Sequence, residues 1–219
     1  ILLPLYPQFS STTTGSSLEE WKRRSDLPSS TICCYPAGAN FARAHADAIL
    51  ETWRNAGSPE RPRVLFSAHG LPQVVIERGD PYQWQVEQSV AAVRRLLPPD
   101  WDIRTCYQSR VGPRKWIGPS REEEIHTAAK EGAGLIVSPI AFVSEHVETL
   151  VELDIEYAQL AQRLGVPFYL RAPAPGATPR FIDALAELAE QALTAPGQVR
   201  SENGGKLCPA AWGLCPQHG

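Results

Sequence analysis

The sequence predicts an α/β fold with an open, mostly parallel sheet and helices on both faces. Three observations lead to this prediction. Apolar runs of strand length recur along the chain, amphipathic segments of helical length separate most of them, and no internal repeat is visible. Such alternation is typical of βαβ units, in which a helix returns the chain so that the next strand lies parallel to the last.

The predicted strands are five short apolar runs. They are ILLPLY (1–6), RVLFSA (63–68), DIRTCYQ (102–108), GLIVSPIAF (134–142) and VPFYLR (166–171). The predicted helices span residues 39–56, 82–97, 121–131, 144–164 and 179–193. Ser144 is placed to cap the fourth helix and Thr178 to cap the last, where Pro179 in the first turn loses no hydrogen bond.

Composition and charge exclude several classes of protein. The chain has 219 residues and a formal net charge of −3, which favours neither a nucleic-acid surface nor a polybasic membrane anchor. No apolar run approaches the ~20 residues of a membrane-spanning helix. The opening ILLPLYPQF lacks the charged region and cleavage site of a signal peptide, so we interpret it as a strand from a longer chain. We expect a soluble, cytoplasmic protein.

The cysteines and the carboxyl-terminal segment carry no clear sign of a site. An adjacent pair (Cys33, Cys34), a single Cys106 and a distant pair (Cys208, Cys215) contain no C-x-x-C spacing. This favours free thiols in a reducing compartment. Residues 195–219 are rich in Gly, Pro and polar residues, which predicts an extended, loosely packed tail.

Polar side chains follow three of the predicted strands. His69 comes directly after RVLFSA, a polar and aromatic loop follows DIRTCYQ, and an acidic segment follows GLIVSPIAF. In an open parallel sheet, functional groups gather in the crevice beyond the carboxyl ends of the strands. We therefore expect His69 and the carboxylates to face one crevice.

The acidic segment has two interpretations. On an α-helical wheel its carboxylates share one side, and its apolar residues occupy the other. The acidic residues are Glu145, Glu148, Glu152 and Glu156; the apolar ones are Val147, Leu150, Val151, Leu153 and Ile155. This pattern fits an ordinary solvated helix face. The position at a strand end favours a row of carboxylates that binds or relays cations, since mutual repulsion is relieved by a cation or a shared proton.

His69 and the loop aromatics also have an ordinary alternative. A histidine in a loop is commonly a surface residue, but beside carboxylates a neutral imidazole can accept a proton or bind a metal. Tyr82 and Trp116 lie in or beside loops, where a large ring either fills a gap or forms the wall of a pocket for a flat ligand.

Five blocks of the sequence together resemble the ferrochelatases, the enzymes that insert ferrous iron into a porphyrin at the end of haem synthesis. The blocks are PLYPQFSSTTTGSS, FSAHGLP, RGDPYQWQVEQ, YQSRVGPRKWIGPS and PIAFVSEHVETLVELDIEY. The resemblance implies two similar doubly wound α/β domains with the porphyrin cleft between them. It assigns residues 1–30 to the end of the first domain and a connecting segment, 31–194 to the second domain and 195–219 to the tail. The amino-terminal chelatase domain would then be a missing partner.

The resemblance also assigns roles to individual residues. The family's metal-centre histidine falls on His69, its active-site glutamate on Glu148 and the second histidine of that motif on His146. The porphyrin-wall positions are Tyr82, Trp116 and Phe142, the polar rim position is Ser109, and the proton or metal relay is Glu152 and Glu156. In the family, the relay helix contains a π-turn, which would alter the α-helical wheel.

An iron–sulfur centre is not expected. Members of the family that carry a two-iron two-sulfur cluster hold it through one cysteine near the PLYPQ block and three in the tail. Here the first position is Ser11, and the tail retains Cys208 and Cys215, too few thiolates for a four-cysteine site.

The resemblance implies a ferrochelatase that takes Fe²⁺ and protoporphyrin IX or coproporphyrin III as substrates. His69 and Glu148 would supply a proton acceptor and a metal ligand, and the sequence does not decide which is which. The alternatives are a chelatase for another metal or tetrapyrrole, a truncated gene product, and a non-catalytic tetrapyrrole- or metal-binding fragment. No nucleic-acid partner is expected, and peripheral membrane contact stays open.

Overall fold

A computed structural model describes residues 1–109 and 112–217, and its centre is a parallel β-sheet. The strands are β1 Thr31–Cys34, β2 Pro62–His69, β3 Asp102–Gln108, β4 Gly134–Ser138, β5 Tyr169–Arg171 and β6 Val199–Ser201. Four strands form a sheet in the order β3-β2-β4-β5, and every neighbouring pair is parallel. Strands β1 and β6 form a second, two-stranded parallel sheet. The predicted fold class is confirmed.

Seven α-helices and two π-helices are found in the described residues. The α-helices are α1 Ser16–Arg24, α2 Ala39–Asn55, α3 Gln73–Glu77, α4 Tyr82–Arg94, α5 Arg121–Glu131, α6 Ala158–Arg163 and α7 Pro179–Leu193. The π-helices are Ser11–Gly15 and Glu148–Tyr157. The helices predicted at 121–131 and 179–193 have the observed bounds. Thr178 takes the N-cap position of α7, although its side chain makes no capping hydrogen bond.

Helices cover both faces of the four-stranded sheet. Val64 and Phe66 of β2 belong to the core formed with α2, α4 and α7, whereas Leu65 belongs to the core formed with α5 and α6. All three side chains are fully buried. Because both faces of β2 are covered, its sequence is a continuous apolar run, as parallel sheets require.

The fourth predicted helix was wrong in its start and in its apolar face. Regular structure begins at Glu148, so Ser144 caps nothing, and the first ten residues form a π-helix as the resemblance implied. Its backbone hydrogen bonds run from i to i+5, so a turn takes more residues than the 3.6 of an α-helix and the wheel of 100° per residue does not apply. One row contains Glu148, Glu152 and Glu156; the row that packs into the core contains Thr149, Leu153 and Tyr157.

The α-helical wheel therefore misplaced four apolar side chains. Val147, Leu150, Val151 and Ile155 are exposed, although the wheel put them on the buried side. Leu153 is the one member of the predicted apolar face that is buried.

Two predictions for the chain ends were also wrong. Of the predicted strand 1–6, only Leu2 makes a bridge, to Thr31, and β1 itself was not predicted. The tail is not loosely packed over residues 195–217, because β6 pairs with β1 and Cys208 and Cys215 are buried. Residues 218 and 219 of the predicted tail lie outside the described residues. The proposed domain limits stay predictions.

Within the described ranges, no helix has both the length and the apolar character needed to cross a membrane.

The π-helix gives a matched pair of stability predictions. Leu153→Ala should lower the free energy of unfolding by about 2–5 kcal/mol, because a fully buried side chain leaves a cavity. Leu150→Ala, on the same helix but 46% exposed, should change it by less than about 0.5 kcal/mol. Urea unfolding of both variants measures the difference. Equal losses of unfolding free energy would indicate that Leu150 is buried, as the α-helical wheel predicted.

Glu202, which lies in the tail, makes part of the folding stability depend on pH. Its carboxylate accepts hydrogen bonds from the Ala37 amide, and burial raises its pKa from the ordinary value of 4.5 to about 7. The folded chain thus keeps a proton that the unfolded chain releases, so this group's contribution to stability falls as the pH rises from 4.5 to about 7. Glu202→Gln should gain thermal stability relative to the parent chain over that interval. A difference in melting temperature that stays constant with pH would contradict this expectation.

Candidate active site

A cavity of about 580 Å³ lies beyond the carboxyl ends of β2 and β4. His69 and Leu71 follow β2 on one side, and Phe142 and Glu148 lie on the segment after β4. The opposite wall comes from the amino-terminal segment, which contributes Leu5, Tyr6, Gln8, Ser10, Thr12 and Thr13. Tyr82 of α4 completes the lining, so the cavity is built from four separate parts of the sequence.

His69 is the last residue of β2, and its surroundings define which ring nitrogen is free. Nδ1 lies 2.7 Å from the carbonyl oxygen of Gly70, which assigns the ring proton to Nδ1. In the neutral ring Nε2 is then the acceptor, and it lies 3.9 Å from Oε2 of Glu148. The hydroxyl of Tyr82 donates to the His69 carbonyl at 3.0 Å and fixes the backbone at this point. The structure therefore brings His69 and Glu148 to one crevice, as expected.

Glu148 is held at the start of the π-helix by its own backbone. Its amide donates to Nδ1 of His146 at 3.2 Å, so that nitrogen is occupied and the ring proton lies on Nε2. The imidazole of His146 packs edge-on against Phe142, with ring centroids 4.5 Å apart. Both rings line the cavity. His146 therefore orients the first turn of the π-helix, and its catalytic role stays a prediction.

Glu152 lies one turn further along the acidic row. Ser109 Oγ donates to its Oε2 at 3.3 Å, and Arg121 Nη1 lies 3.9 Å from the same oxygen. Burial raises the pKa of Glu152, Arg121 opposes the rise, and the charge of Glu148 adds to it. Glu156, the next member, is exposed. The row thus runs from the cavity to the protein surface.

Three predicted residues lie elsewhere. Trp116 borders a separate cavity of about 620 Å³ together with Lys115 and Trp212. Ser109 contacts Glu152 and is not part of the wall of the first cavity. Glu145 leaves the acidic row because Arg171 pairs with it at 2.5 Å. The substrate roles of Trp116 and Ser109 stay predictions.

Sequence reasoning missed Asp80, which attaches the opposite wall of the cavity. This fully buried carboxylate accepts hydrogen bonds from Ser10 Oγ at 3.0 Å, from the amide and hydroxyl of Ser11 at 2.7 Å each, and from the Tyr82 amide at 2.9 Å. The available signal was an aspartate immediately before Pro81 and the start of α4. Its partners Ser10 and Ser11 lie about seventy positions earlier in the chain and could not be read from that pattern.

Sequence reasoning also missed a buried polar pair beside the acidic row. Gln108 is the last residue of β3, and Arg121 is the first residue of α5. Both are buried, at 1% and 0% exposure. The pair connects Ser67 on β2 with the carboxylates of Glu148 and Glu152.

Cysteines that are distant in the sequence lie near one another in the fold. None of the five forms a disulfide bond, and the sulfur atoms of Cys33 and Cys34 lie 3.6 Å apart. The Cys33 thiol raises the pKa of Cys34, with burial and the nearby Cys208 adding to the effect. Cys33 and Cys34 therefore lie near the tail cysteine Cys208, as additional thiols beside Cys208 and Cys215. In the part of the chain that the structure describes, no group of three or more His, Cys, Asp or Glu is arranged to hold a metal, and the expectation of no cluster stays a prediction.

Comparisons with protein-family models and with known relatives identify the family of this chain. The family model described as Ferrochelatase matches residues 1–193. The chain belongs to the ferrochelatase family. It is 58% identical over 217 residues to the ferrochelatase of Phenylobacterium zucineum, 51% identical to that of Hyphomonas neptunium and 55% identical to that of Caulobacter vibrioides. These alignments cover 98–99% of the chain but only 61–63% of each relative, so the chain spans less than two thirds of their length.

Solved structures support the fold. SirB from Bacillus subtilis with Fe³⁺ aligns with a TM-score of 0.56 at 16% identity, over 87% of this chain and 69% of that chain. The sirohydrochlorin chelatase SirB from B. subtilis subspecies spizizenii in complex with cobalt gives a TM-score of 0.53 at 11% identity, over 87% and 67%. At these identities the likeness shows a common chelatase-like architecture and nothing about substrate.

Gly70 provides a test of how the site is built. A Cβ atom there would lie 2.6 Å from the carbonyl oxygen of Gln108 and 3.3 Å from the Trp116 ring. Gly70→Ala should therefore lower the free energy of unfolding by about 1–3 kcal/mol, because the backbone of β3 has to shift. Gly205→Ala is the control, since nothing lies within 4 Å of its added Cβ. Denaturant midpoints that match for the two variants would refute the close approach.

Proposed function

We propose that the protein containing this chain inserts ferrous iron into a porphyrin in haem biosynthesis, with Fe²⁺ and the porphyrin as its substrates. The observation that carries the proposal is the closeness of His69 Nε2 to the Glu148 carboxylate, 3.9 Å apart at one cavity, in a member of the ferrochelatase family. Protoporphyrin IX and coproporphyrin III are both candidate substrates.

The reaction removes two pyrrole N–H protons as the metal enters, so it needs a proton acceptor beside a metal ligand. We assign proton acceptance to His69, because Gly70 holds the proton on Nδ1 and leaves the Nε2 lone pair free. We assign the first contact with iron to Glu148, because a carboxylate oxygen is a suitable ligand and the acidic row continues from it.

Glu152 and Glu156 are proposed to carry iron inwards or protons outwards. They follow Glu148 at intervals of four residues on the π-helix. Glu152 is half-buried and Glu156 is exposed, so the row leads from the cavity to the surface. Carboxylates one turn apart can exchange a cation without moving it into an apolar region. This arrangement supports a path that avoids the porphyrin-binding space.

The cavity walls suit a flat, apolar macrocycle. Leu71, Tyr82 and Phe142 supply apolar surface beside the His69–Glu148 pair. We retain Trp116 and Ser109 as proposed contacts of a larger substrate, since both lie in the adjoining loop after β3.

The part of the longer relatives that this chain does not match is the proposed partner that completes the cleft. Five cysteines without a disulfide bond favour a cytoplasmic location, and peripheral membrane contact is compatible with it.

Substitutions at the pair should separate chemistry from folding. In the full-length protein, His69→Ala and Glu148→Gln should lower metal insertion at least about a hundredfold, because one removes the proton acceptor and the other the anionic ligand. Glu152→Gln and Glu156→Gln should slow insertion by a smaller factor. Fluorescence of the metalloporphyrin product, with Zn²⁺ in place of Fe²⁺, measures the rates.

Exposed residues of the same types provide controls. His126→Ala and Glu190→Gln should insert metal at the parent rate. If His69→Ala unfolds the protein or inserts metal normally, the assignment of His69 fails. A folded parent protein that binds porphyrin but inserts no metal would favour the non-catalytic alternative.

A further inference from the structure

Arg121 is a buried cation whose surroundings only partly satisfy it. Its side chain is 0% exposed, and Nη1 has no hydrogen-bond partner among residues 1–109 and 112–217. It is also the first residue of α5, where the positive end of the helix dipole disfavours a cation. Burying a charged donor under these conditions costs free energy. Stability of the fold therefore does not explain why an arginine is here.

Three contacts hold the guanidinium in one orientation. Nη2 donates to Ser67 Oγ at 2.8 Å and also to Oε1 of Gln108. The central carbon lies 4.0 Å from the centre of the Tyr157 ring, so the group stacks on an aromatic face. With these positions fixed, Nη1 lies 3.9 Å from Oε2 of Glu152. The unpartnered donor thus lies beside the acidic row.

The arginine determines which way the Gln108 amide faces. A guanidinium has only donors, so the amide oxygen of Gln108 must face it, and Ser67 donates to the same oxygen at 2.9 Å. The amide nitrogen is then turned to the carboxylates, at 3.4 Å from Glu148 Oε2 and 3.5 Å from Glu152 Oε2. Arg121 thus places a positive charge beside Glu152, and Gln108 places one donor between Glu152 and Glu148.

We propose that Arg121 is a positioning residue for metal transfer: it orients Gln108 towards both carboxylates and weakens the hold of Glu152 on a divalent cation, so that the cation passes to Glu148. The direction of transfer rests on the proposed function. The weakened hold does not, because a fixed positive charge about 4 Å from a carboxylate opposes a second cation there whatever the later chemistry. Without the charge of Arg121, Glu152 would bind the metal more tightly and release it more slowly.

Zn²⁺ binding to the full-length protein without porphyrin tests the proposal. Arg121→Met removes the charge and should tighten Zn²⁺ binding about tenfold, the order expected for a partly screened charge at this distance. In insertion assays the same variant should show kcat lowered about tenfold, with KM for the porphyrin within about twofold of the parent value. Arg121→Lys keeps the charge and should return Zn²⁺ affinity towards that of the parent.

Arg63 is the matched control. It is buried at the other end of β2, where it pairs with Asp102 and Glu131. Arg63→Met should lower the melting temperature and leave Zn²⁺ affinity unchanged. If Arg121→Met leaves Zn²⁺ affinity unchanged, or Arg63→Met alters it equally, Arg121 has a structural role only.

A second variant and a second comparison cover the cases in which Arg121→Met does not fold or the parent protein is inactive. Should Arg121→Met fail to fold, Arg121→Gln, which retains donors for Ser67 and Gln108 without the charge, should tighten Zn²⁺ binding in the same way. Unchanged binding in that variant overturns the proposal. A parent protein without insertion activity would refute the proposed function, while the comparison of Zn²⁺ affinities would still decide the role of Arg121.

Discussion

Parallel pairing of β2 with both of its neighbours is the constraint on which the site depends. The register places His69 beside Gln108 of β3, while β4 ends opposite Phe66 at Ser138. Strands of one direction finish at one edge, so three separate segments of the chain must leave the sheet in the same place. The segment after β4 then crosses this edge and brings Glu148 to His69. An antiparallel pairing of the same sequences would send these side chains to opposite ends.

The π-helix adds a second constraint, because it separates an acidic row from the row that packs into the core. Carboxylates occupy one row, and Thr149, Leu153 and Tyr157 occupy a row that packs beside Leu65 and Ile125. The α-helical wheel put Leu150, Val151 and Ile155 on the buried side, whereas all three are exposed in the π-helix. The widened backbone therefore leaves the carboxylates outside the core while Leu153 and Tyr157 attach the helix to it.

Local patterns in the sequence predicted what depends on neighbouring residues. The fold class, β3, the bounds of α5 and α7 and the meeting of His69 with Glu148 follow from apolar periodicity and from the geometry of parallel strands. The exposed face of the π-helix did not follow, because the period itself changes there. The packed tail and the burial of Arg121 did not follow either, since their partners are distant in sequence: Ser67 lies 54 positions from Arg121.

Asp80 has a consequence for how pieces of this family can be exchanged. The donors it binds lie at Ser10 and Ser11, and Gln85 on the adjoining helix α4 accepts from the Phe9 amide at 2.7 Å. The amino-terminal segment and the start of α4 are therefore complementary surfaces, although some seventy residues separate them. In a chimaera of two relatives, a crossover between these segments would join an acceptor from one parent to donors from the other. Recombination would preserve the cavity only where both parents supply the same polar partners.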